Sequence, residues 1–507
     1  MSAIQTLPDL SIDVNGVALA APDMAALASV NVRERLSLPA LCELVFQEPE
    51  TLDSDRSPIV PGASLNVVVG GARPALFEGE VTAIELVYEP GNGRLVRIRA
   101  YDRLHRLRKR QPLRVHVQVT AADLARELVG DLGLGIDASE TGPVHERLFQ
   151  AGRSDFELLS DVAAGAGLYF TLREETLQLM TLQGVGEPVA LELGRTLLEA
   201  RIEVNGDPAC RSVSALGWDP IRAEARQGKA STPRVGRRIS ADVRPDQVGG
   251  SGERIRVDHA VQDDRHVEAA AQAELDAEVA REVTVEGVVS GEIVLHPGTT
   301  VDLAGVSTPF QGRFVVASVN HTIDARRGHI AEFSTRPPSP PPPPSRGTTA
   351  ALAIITQVDD PEKLGRVRAS LPAWGDLETG WIEVMLPGAG KNKGFVALPG
   401  VGDRVLVLFL HGDPAQAVVA GGLYGAEGPQ DSGVAGGAVM RYTFGTPGGR
   451  RLQFDDENRR IRLEDPDGNY VEFGPERFLL HSAVDLTLEA PGKCITVRGA
   501  SVDFKRA

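Results

Sequence analysis

Apolar and polar residues alternate with a period of two along much of this chain, the spacing of strands that bury one face. Leu65-Asn66-Val67-Val68-Val69 and Arg94-Leu95-Val96-Arg97-Ile98-Arg99-Ala100-Tyr101 show it in the first two thirds. Three stretches break into helical spacing. Thr120 stands as a cap ahead of Ala121-Ala122-Asp123, with Leu124, Leu128 and Val129 on one face before Gly130. Ser154 with Glu157 three residues on matches a capping box, and Phe156, Leu159, Val162 and Ala163 form the apolar stripe behind it. The alanine-rich stretch 267–280 predicts a third helix. The expected class is mainly β with some α, the first half being α+β with strands dominant.

The plainest boundary is Pro337-Pro338-Ser339 followed by five prolines at 340–344. Such a tract cannot donate to a ladder and predicts a stiff spacer, with the segments on either side folding separately. A ligand for an aromatic groove is the other use of such a tract. The expected domains are 1–336, a linker at 337–347, a third segment at 348–428 and a last one at 429–507. Within 351–424 six short apolar runs are separated by Gly, Asp and Pro turns: Ala353-Ile354-Ile355, Gly365 to Ala369, Trp381 to Val384, Gly394-Phe395-Val396-Ala397, Arg404 to Phe409 and Ala417 to Ala420. So many strands in so short a stretch suit a small closed barrel, because closure removes exposed edges.

The last segment carries apolar pairs at alternate positions: Leu452/Phe454, Ile461/Leu463, Val471/Phe473, Leu486/Leu488, Ile495/Val497 and Val502/Phe504. Each pair predicts a very short strand with two side chains inward and charged ones outward. Strands this short bury too little to stand alone, and a single meander leaves open edges. Winding copies around a shared threefold axis answers both demands, so the pattern predicts a homotrimer whose core is made by those residues. A monomeric hairpin stack or solenoid is the alternative.

Three patches resemble one family, the VgrG-type spike and baseplate-hub proteins of type VI secretion, phage tails and extracellular contractile injection systems. Tyr101-Asp102-Arg103-Leu104-His105-Arg106-Leu107 resembles the hub signature, followed by the 149–170 segment, Leu295-His296-Pro297-Gly298 and Val319-Asn320-His321. Gly365-Arg366-Val367, Gly394 to Asp403, Phe409 to Pro414 and Gly421-Gly422-Leu423-Tyr424 resemble the family's OB-type barrel, and the paired repeat resembles the start of its triple-stranded β-helix. The resemblance implies a phage-tail-hub-like first domain with two related barrels plus helices, three copies of which match a hexameric tube. It implies a spike that caps the tube, carries a PAAR-type tip at Val502, Asp503, Phe504, Lys505, Arg506 and Ala507, and punctures an envelope when a sheath contracts. Tube proteins of the Hcp-like kind, baseplate proteins and effector cargo are the implied partners. The proline tract is longer, and the repeat shorter, than the family leads one to expect; a compact spike without a long C-terminal extension resembles those of extracellular injection systems or tail-like particles more than many type VI spikes.

Composition narrows the chemistry. A net charge of −16 and a pI near 5.2 oppose phosphate backbones, so no nucleic-acid partner is expected. Residues 1–16 lack a basic start and an apolar core, so manufacture in the bacterial cytoplasm without a signal peptide is expected, with the particle then released or fired outward. The apolar run 405–410 is far short of a membrane span, and no stable membrane insertion is expected. Cys42, Cys210 and Cys494 have no metal or disulfide spacing and read as small apolar fillers; the ten histidines make no HExxH or HxH cluster. No cofactor, metal or catalytic residue is expected, GxSxG is absent, and Asp455-Asp456-Glu457 and Asp465-Pro466-Asp467-Gly468 read as turns. Fewer than 30 residues separate Tyr424 from Leu452, too few for an inserted enzyme. The basic run 106–110 suits packing, tube contact or plain solvation. The rival readings are a polysaccharide-degrading tail spike and a glycan-binding barrel using Trp374 and Trp381.

Overall fold

The computed structural model describes residues 9–50, 52, 57–70, 74–89, 93–219, 224–260, 263–291, 295–339, 347–425 and 428–505. The chain divides into two compact units, Met1–Gly422 and Leu423–Ala507.

An antiparallel sheet of eleven strands organises the first unit. Its middle is the pairing of Leu27–Arg35 with Ser318–Asp324, where Val32 lies opposite His321. Beyond Ser318–Asp324 follow Gly328–Ser334, Val283–Ser290 and Leu197–Val204; beyond Leu27–Arg35 follow Leu41–Gln47, Gly93–Tyr101, Phe77–Glu89, Ser64–Val69, Leu10–Val14 and Val17–Ala18. Alternation sends Val30, Val32, Leu44, Phe46, Val67, Val96 and Ile98 into one core, and Leu197, Val285, Val289, Val319 and Phe333 into another. Each half of the sheet therefore covers its own core, and one seam joins them.

Four helices are present among the described residues: α1 (Ala21–Ala25), α2 (Ala121–Gly130), α3 (Asp155–Gly165) and α4 (Asp264–Glu282). The two longer caps read from sequence are formed. Thr120 Oγ1 accepts from the Asp123 amide at 3.1 Å, Ser154 Oγ accepts from the Glu157 amide at 3.2 Å, and the Glu157 carboxylate accepts in return from the Ser154 amide at 2.8 Å. Leu124, Leu128, Phe156, Leu159 and Phe170 make a third core between α2 and α3. Helix α4 lays Val267, Ala271, Leu275 and Val279 on the three-stranded sheet of Ser212–Asp219, Glu224–Ala230 and Glu253–Ala260.

After the tract, six strands pair in the order Leu377–Glu378, Arg368–Leu371, Thr349–Gln357, Arg404–Phe409, Ala417–Gly422 and Glu383–Val384. Val367 and Ile382 exchange backbone hydrogen bonds of 2.9 and 2.8 Å, which ties the two ends of this sheet around Ile355, Val367, Leu371, Val405, Val407 and Phe409. The strand expected at Gly394-Phe395-Val396-Ala397 does not form. Gly394 takes a φ of +133°, and the Phe395 amide turns back to the Pro387 carbonyl at 3.0 Å, so this stretch is an ordered loop. Most of the proline tract, 340–346, lies outside the described residues. The first compact unit runs across the tract. Arg147 reaches from the helical layer to the Glu378 carbonyl at 3.3 Å, and Leu113 packs on Gly375, joining the barrel to what precedes it.

The second unit contains an antiparallel meander of Arg441–Gly445, Arg451–Asp455, Arg460–Glu464, Tyr470–Phe473 and Phe478–His481. Residues 482–505 that follow have no strand pairing within the chain. Asp455 accepts from the Asn458 amide at 3.0 Å and Asp465 from the Asp467 and Asn469 amides at 3.0 and 2.9 Å, so both acidic groups are turn formers as expected.

Loss of the Ser154 cap should be measurable: Ser154→Ala is expected to lower unfolding stability by about 1 kcal/mol. Chemical denaturation monitored by far-ultraviolet circular dichroism checks this, against Phe46→Ala in the first core, where the expected loss is about 3 to 5 kcal/mol.

Candidate functional site

The meander places the expected apolar pairs in register. Tyr442 faces Phe454 and Phe444 faces Leu452; Leu452 then faces Leu463 and Phe454 faces Ile461. Ile461 continues to Phe473 and Leu463 to Val471, and these to Phe478 and Leu480. Two unbroken apolar columns thus cross all five strands on one face. That face is open: Phe454 is 45% exposed, Leu463 54%, Phe473 55% and Phe478 62%. Full burial of such a side chain stabilises by about 1.5 to 3 kcal/mol, and contiguous apolar patches of this kind mark contact surfaces.

The other face is ionic. Arg462 pairs with Glu472 at 3.1 Å and Arg460 with Asp455 at 3.2 Å; Arg451 pairs with Glu464. Arg462 also lies 3.9 Å from the centre of the Tyr470 ring. At the entry to the sheet Arg441 holds Asp431 at 2.7 Å, and its hydrogen bonds bring that carboxyl down to about 2. Because a one-residue slip would exchange the two faces, these pairs fix which one stays apolar.

Leu486, Leu488, Ile495 and Val497 lie in the unpaired stretch and are all exposed, as are Val502 and Phe504 beyond them. Asp503 and Lys505 pair with each other at 3.0 Å. Arg506 and Ala507, expected to complete a tip-binding end, fall outside the described residues. The sequence reading missed Tyr442, Phe444, Phe478 and Leu480, although the alternation Tyr442-Thr443-Phe444 and Phe478-Leu479-Leu480 carries the same signal. It also took all three cysteines as buried filler; Cys42 and Cys210 are buried, but Cys494 is exposed in the unpaired stretch.

The segment 101–107 joins the great sheet to the helical layer. Tyr101 ends the Gly93–Tyr101 strand, and Asp102 caps the 3-10 turn Arg103–Lys109 by accepting from the Leu104 amide at 2.9 Å and the Ala40 amide at 2.8 Å. Leu104 and Leu107 are fully buried in the helical core. Arg103 reaches Glu175 at 3.3 Å, Arg106 binds Glu80, and His105 Nδ1 donates to the Asp102 carbonyl at 2.7 Å. The Arg108 guanidinium spans the rings of Tyr101 and Phe156, 5.6 and 4.8 Å from their centres. These contacts occupy the segment with packing.

A buried polar chain crosses the seam of the sheet. Glu34 takes His296 Nδ1 at 2.8 Å, His321 Nε2 donates to the Leu295 carbonyl at 3.2 Å, and His321 Nδ1 accepts from His329 Nε2 at 3.3 Å. Burial pushes His321 down to about 4 and lowers His329. Burial pushes Asp102 the other way, up to about 7, against the pull of its two amide donors. Among the described residues no group of three or more His, Cys, Asp or Glu side chains is arranged to hold a metal ion. No helix among them is long and apolar enough to cross a membrane. Trp374 packs edge-on against Phe409 at 5.3 Å and Trp381 lies 5.0 Å from the Arg368 guanidinium, so protein groups engage both rings.

Residues 5–325, more than half of the chain, match the family model described as the Alg8 N-terminal domain. The chain belongs to the Alg8 N-terminal domain family. Residues 351–424 of this family member match the injector OB domain of type VI secretion systems and phage baseplates. The type VI secretion system spike protein VgrG1c of Pseudomonas aeruginosa is 30% identical over 111 residues, 22% of this chain and 14% of the relative. The match therefore spans about one seventh of that curated relative. An E. coli protein described as a type VI secretion component similar to bacteriophage T4 tail proteins has a TM-score of 0.56 at 14% identity, covering 82% of this chain and 99% of that chain. The half-lidded Francisella PdpA-VgrG complex gives a TM-score of 0.55 at 9% identity, covering 94% of this chain and 88% of that chain. At these identities the likeness is one of fold. The fold of this member of the Alg8 N-terminal domain family is thus VgrG-like and phage-tail-like, mostly β with few helices.

The two buried titrations have opposite signs. A histidine held below its ordinary value of about 6.5 favours the fold above that pH and loses its contribution as pH falls towards 4. A carboxyl held above its ordinary value favours the fold at low pH and loses its contribution as pH rises through about 7. The stability advantage of the wild type over His321→Asn should therefore narrow between pH 6.5 and 4, by about 1.4 kcal/mol per unit of depression. The advantage over Asp102→Asn should widen over the same descent. Thermal melting of the three proteins in matched buffers checks both trends.

Proposed function

We propose that this chain forms a homotrimeric, non-enzymatic spike that caps the inner tube of a contractile injection apparatus and pierces an envelope when the sheath shortens. The observation that carries this reading is the pair of open apolar columns in the second unit, continued by an unpaired, alternately apolar stretch. Three copies sharing an axis would bury the columns formed by Leu452, Phe454, Ile461, Leu463, Val471 and Phe473, and would give Leu486, Leu488, Ile495 and Val497 strand partners that one chain cannot supply. Such a needle transmits axial force through interchain hydrogen bonds and dry side-chain layers, and its ionic exterior stays wet. The VgrG-type fold of the rest supports the same reading.

In this scheme residues 1–336 form the hub on the tube and baseplate, 337–347 the linker, 348–428 an OB-type barrel and 429–507 a triple-stranded β-helix. The segment Val502 to Ala507 would carry a PAAR-type tip protein. Effector cargo would travel with the particle, which is assembled in a bacterial cytoplasm and then released or fired outward.

Light scattering on the full chain at micromolar concentration should give the mass of three copies. Leu463→Asp, which would put three charges into one buried layer of the trimer, should reduce the mass to that of one chain while the circular dichroism of the first unit persists. A well-folded wild-type monomer under these conditions would refute the proposal.

A further inference from the structure

The inward residues of the Ser318–Asp324 strand are Val319, His321 and Ile323. Val319 belongs to the second core of the great sheet and Ile323 to the first, so His321, wholly buried, stands where one core ends and the other begins. Its neighbours make the same exchange of apolar for polar. On Leu27–Arg35, Val32 belongs to the first core and the next inward residue is Glu34; on Gly328–Ser334, Phe333 and Ala331 belong to the second core and the next in that alternation is His329. The two cores therefore meet across a layer of imidazole and carboxyl groups.

That layer is complete with the protons it has. His321 Nε2 donates to the Leu295 carbonyl, which leaves Nδ1 to accept from His329 Nε2 at 3.3 Å. One hydrogen fits between those facing nitrogens. When both rings are charged each facing nitrogen carries its own, and attraction turns to repulsion among buried groups. The charges that face the pair give little relief. Glu34, on the adjoining strand, attracts a proton but is committed to His296 Nδ1 at 2.8 Å, while His296 itself repels one. Asp102 is within electrostatic reach of Glu34. Arg33, Asn320 and Glu332 lie on the opposite face of the sheet. Burial accordingly holds both rings below the ordinary histidine value, His321 at about 4.

The ladders on either side of His321 are closed unequally. Ser318–Asp324 and Gly328–Ser334 form a hairpin whose turn is held by Asp324, which accepts from the Arg326 and Arg327 amides at 2.8 and 2.7 Å. The ladder to Leu27–Arg35 has no local closure: Asn31 and Asn320, bonded across it, are 289 positions apart. Long closures cost more entropy than short ones, so this ladder is the one to yield.

We infer that the seam is an acid-operated joint: in mild acid the imidazole layer takes up protons and water, and Leu27–Arg35 parts from the 318–334 hairpin while the apolar core on each side stays closed. Each core is lined by its own strands, so parting need not unfold either. The open form binds the extra protons, so opening grows as pH falls below the ordinary histidine value and reverses on neutralisation. The joint lies within one chain and does not depend on the trimer proposed above.

Hydrogen–deuterium exchange of the full chain, read as protection factors so that the intrinsic effect of pH is removed, tests this. Between pH 7.5 and 4.5, peptides from 27–35 and 318–334 should lose about tenfold in protection. Peptides from 93–101 and 283–290 should keep theirs, and return to pH 7.5 should restore the seam. His329→Gln, which removes one ring of the pair, should abolish the local loss, and so should His321→Asn. If His329→Gln opens as the wild type does, another group carries the titration and the joint is refuted. Protection lost evenly over all four segments would be ordinary acid unfolding and would refute it too, as would a seam that keeps its protection at pH 4.5. The wild-type comparison decides by itself should either variant fail to fold.

Discussion

The openness of the two apolar columns between Tyr442 and Leu480 is the constraint around which the second unit is arranged. Water penalises each exposed side chain in proportion to its apolar area, and here the exposed groups are contiguous, aligned and repeated on every strand. A five-stranded sheet has only two faces, and the ion pairs fill one of them with charged side chains that largely cover one another. The remaining face has to find apolar cover outside its own sheet. An axis shared by three copies, as proposed above, would offer that cover with the same residues at every level.

The ion pairs matter less for energy than for choice of face. The pairs are partly buried, so the cost of taking the charges out of water offsets much of their attraction. Their value lies in register, since displacement of one strand by one residue would move Arg462 among the phenylalanines. The first unit uses polar groups differently. Asp102, Glu34, His296, His321 and His329 lie inside, between layers that would otherwise be joined only by nonspecific apolar packing. A buried group satisfied by named partners permits one arrangement of those layers, at the cost of sensitivity to protonation.

Much of this was legible in the residues. Period-two alternation located Ser64–Val69 and Gly93–Tyr101, and the spacing of Ser154 from Glu157 located the start of α3, because a cap is a local contract between neighbours. The column residues from Leu452 to Phe473 were legible for the same reason: their alternation is visible within five positions. The Gly394 to Ala397 loop was misread because its apolar residues follow strand spacing while Gly394 and the flanking prolines decide the backbone. The buried polar chain was invisible, since Glu34 and His296 are 262 positions apart and only the sheet seam brings them together. The union of barrel and hub was equally hidden, resting on contacts such as that of Arg147 with the Glu378 carbonyl.

The seam also sets a timetable. Leu27–Arg35 is among the first strands to leave the ribosome, yet one of its neighbours is Ser318–Asp324, nearly three hundred positions later. At about 5 to 20 residues per second, roughly 15 to 60 seconds pass during which that flank has no native mate. Any nascent hub must shield an open ladder for that interval. The open columns between Tyr442 and Leu480 emerge only after Ser318–Asp324, so the seam's second strand is already available when that exposed apolar face appears.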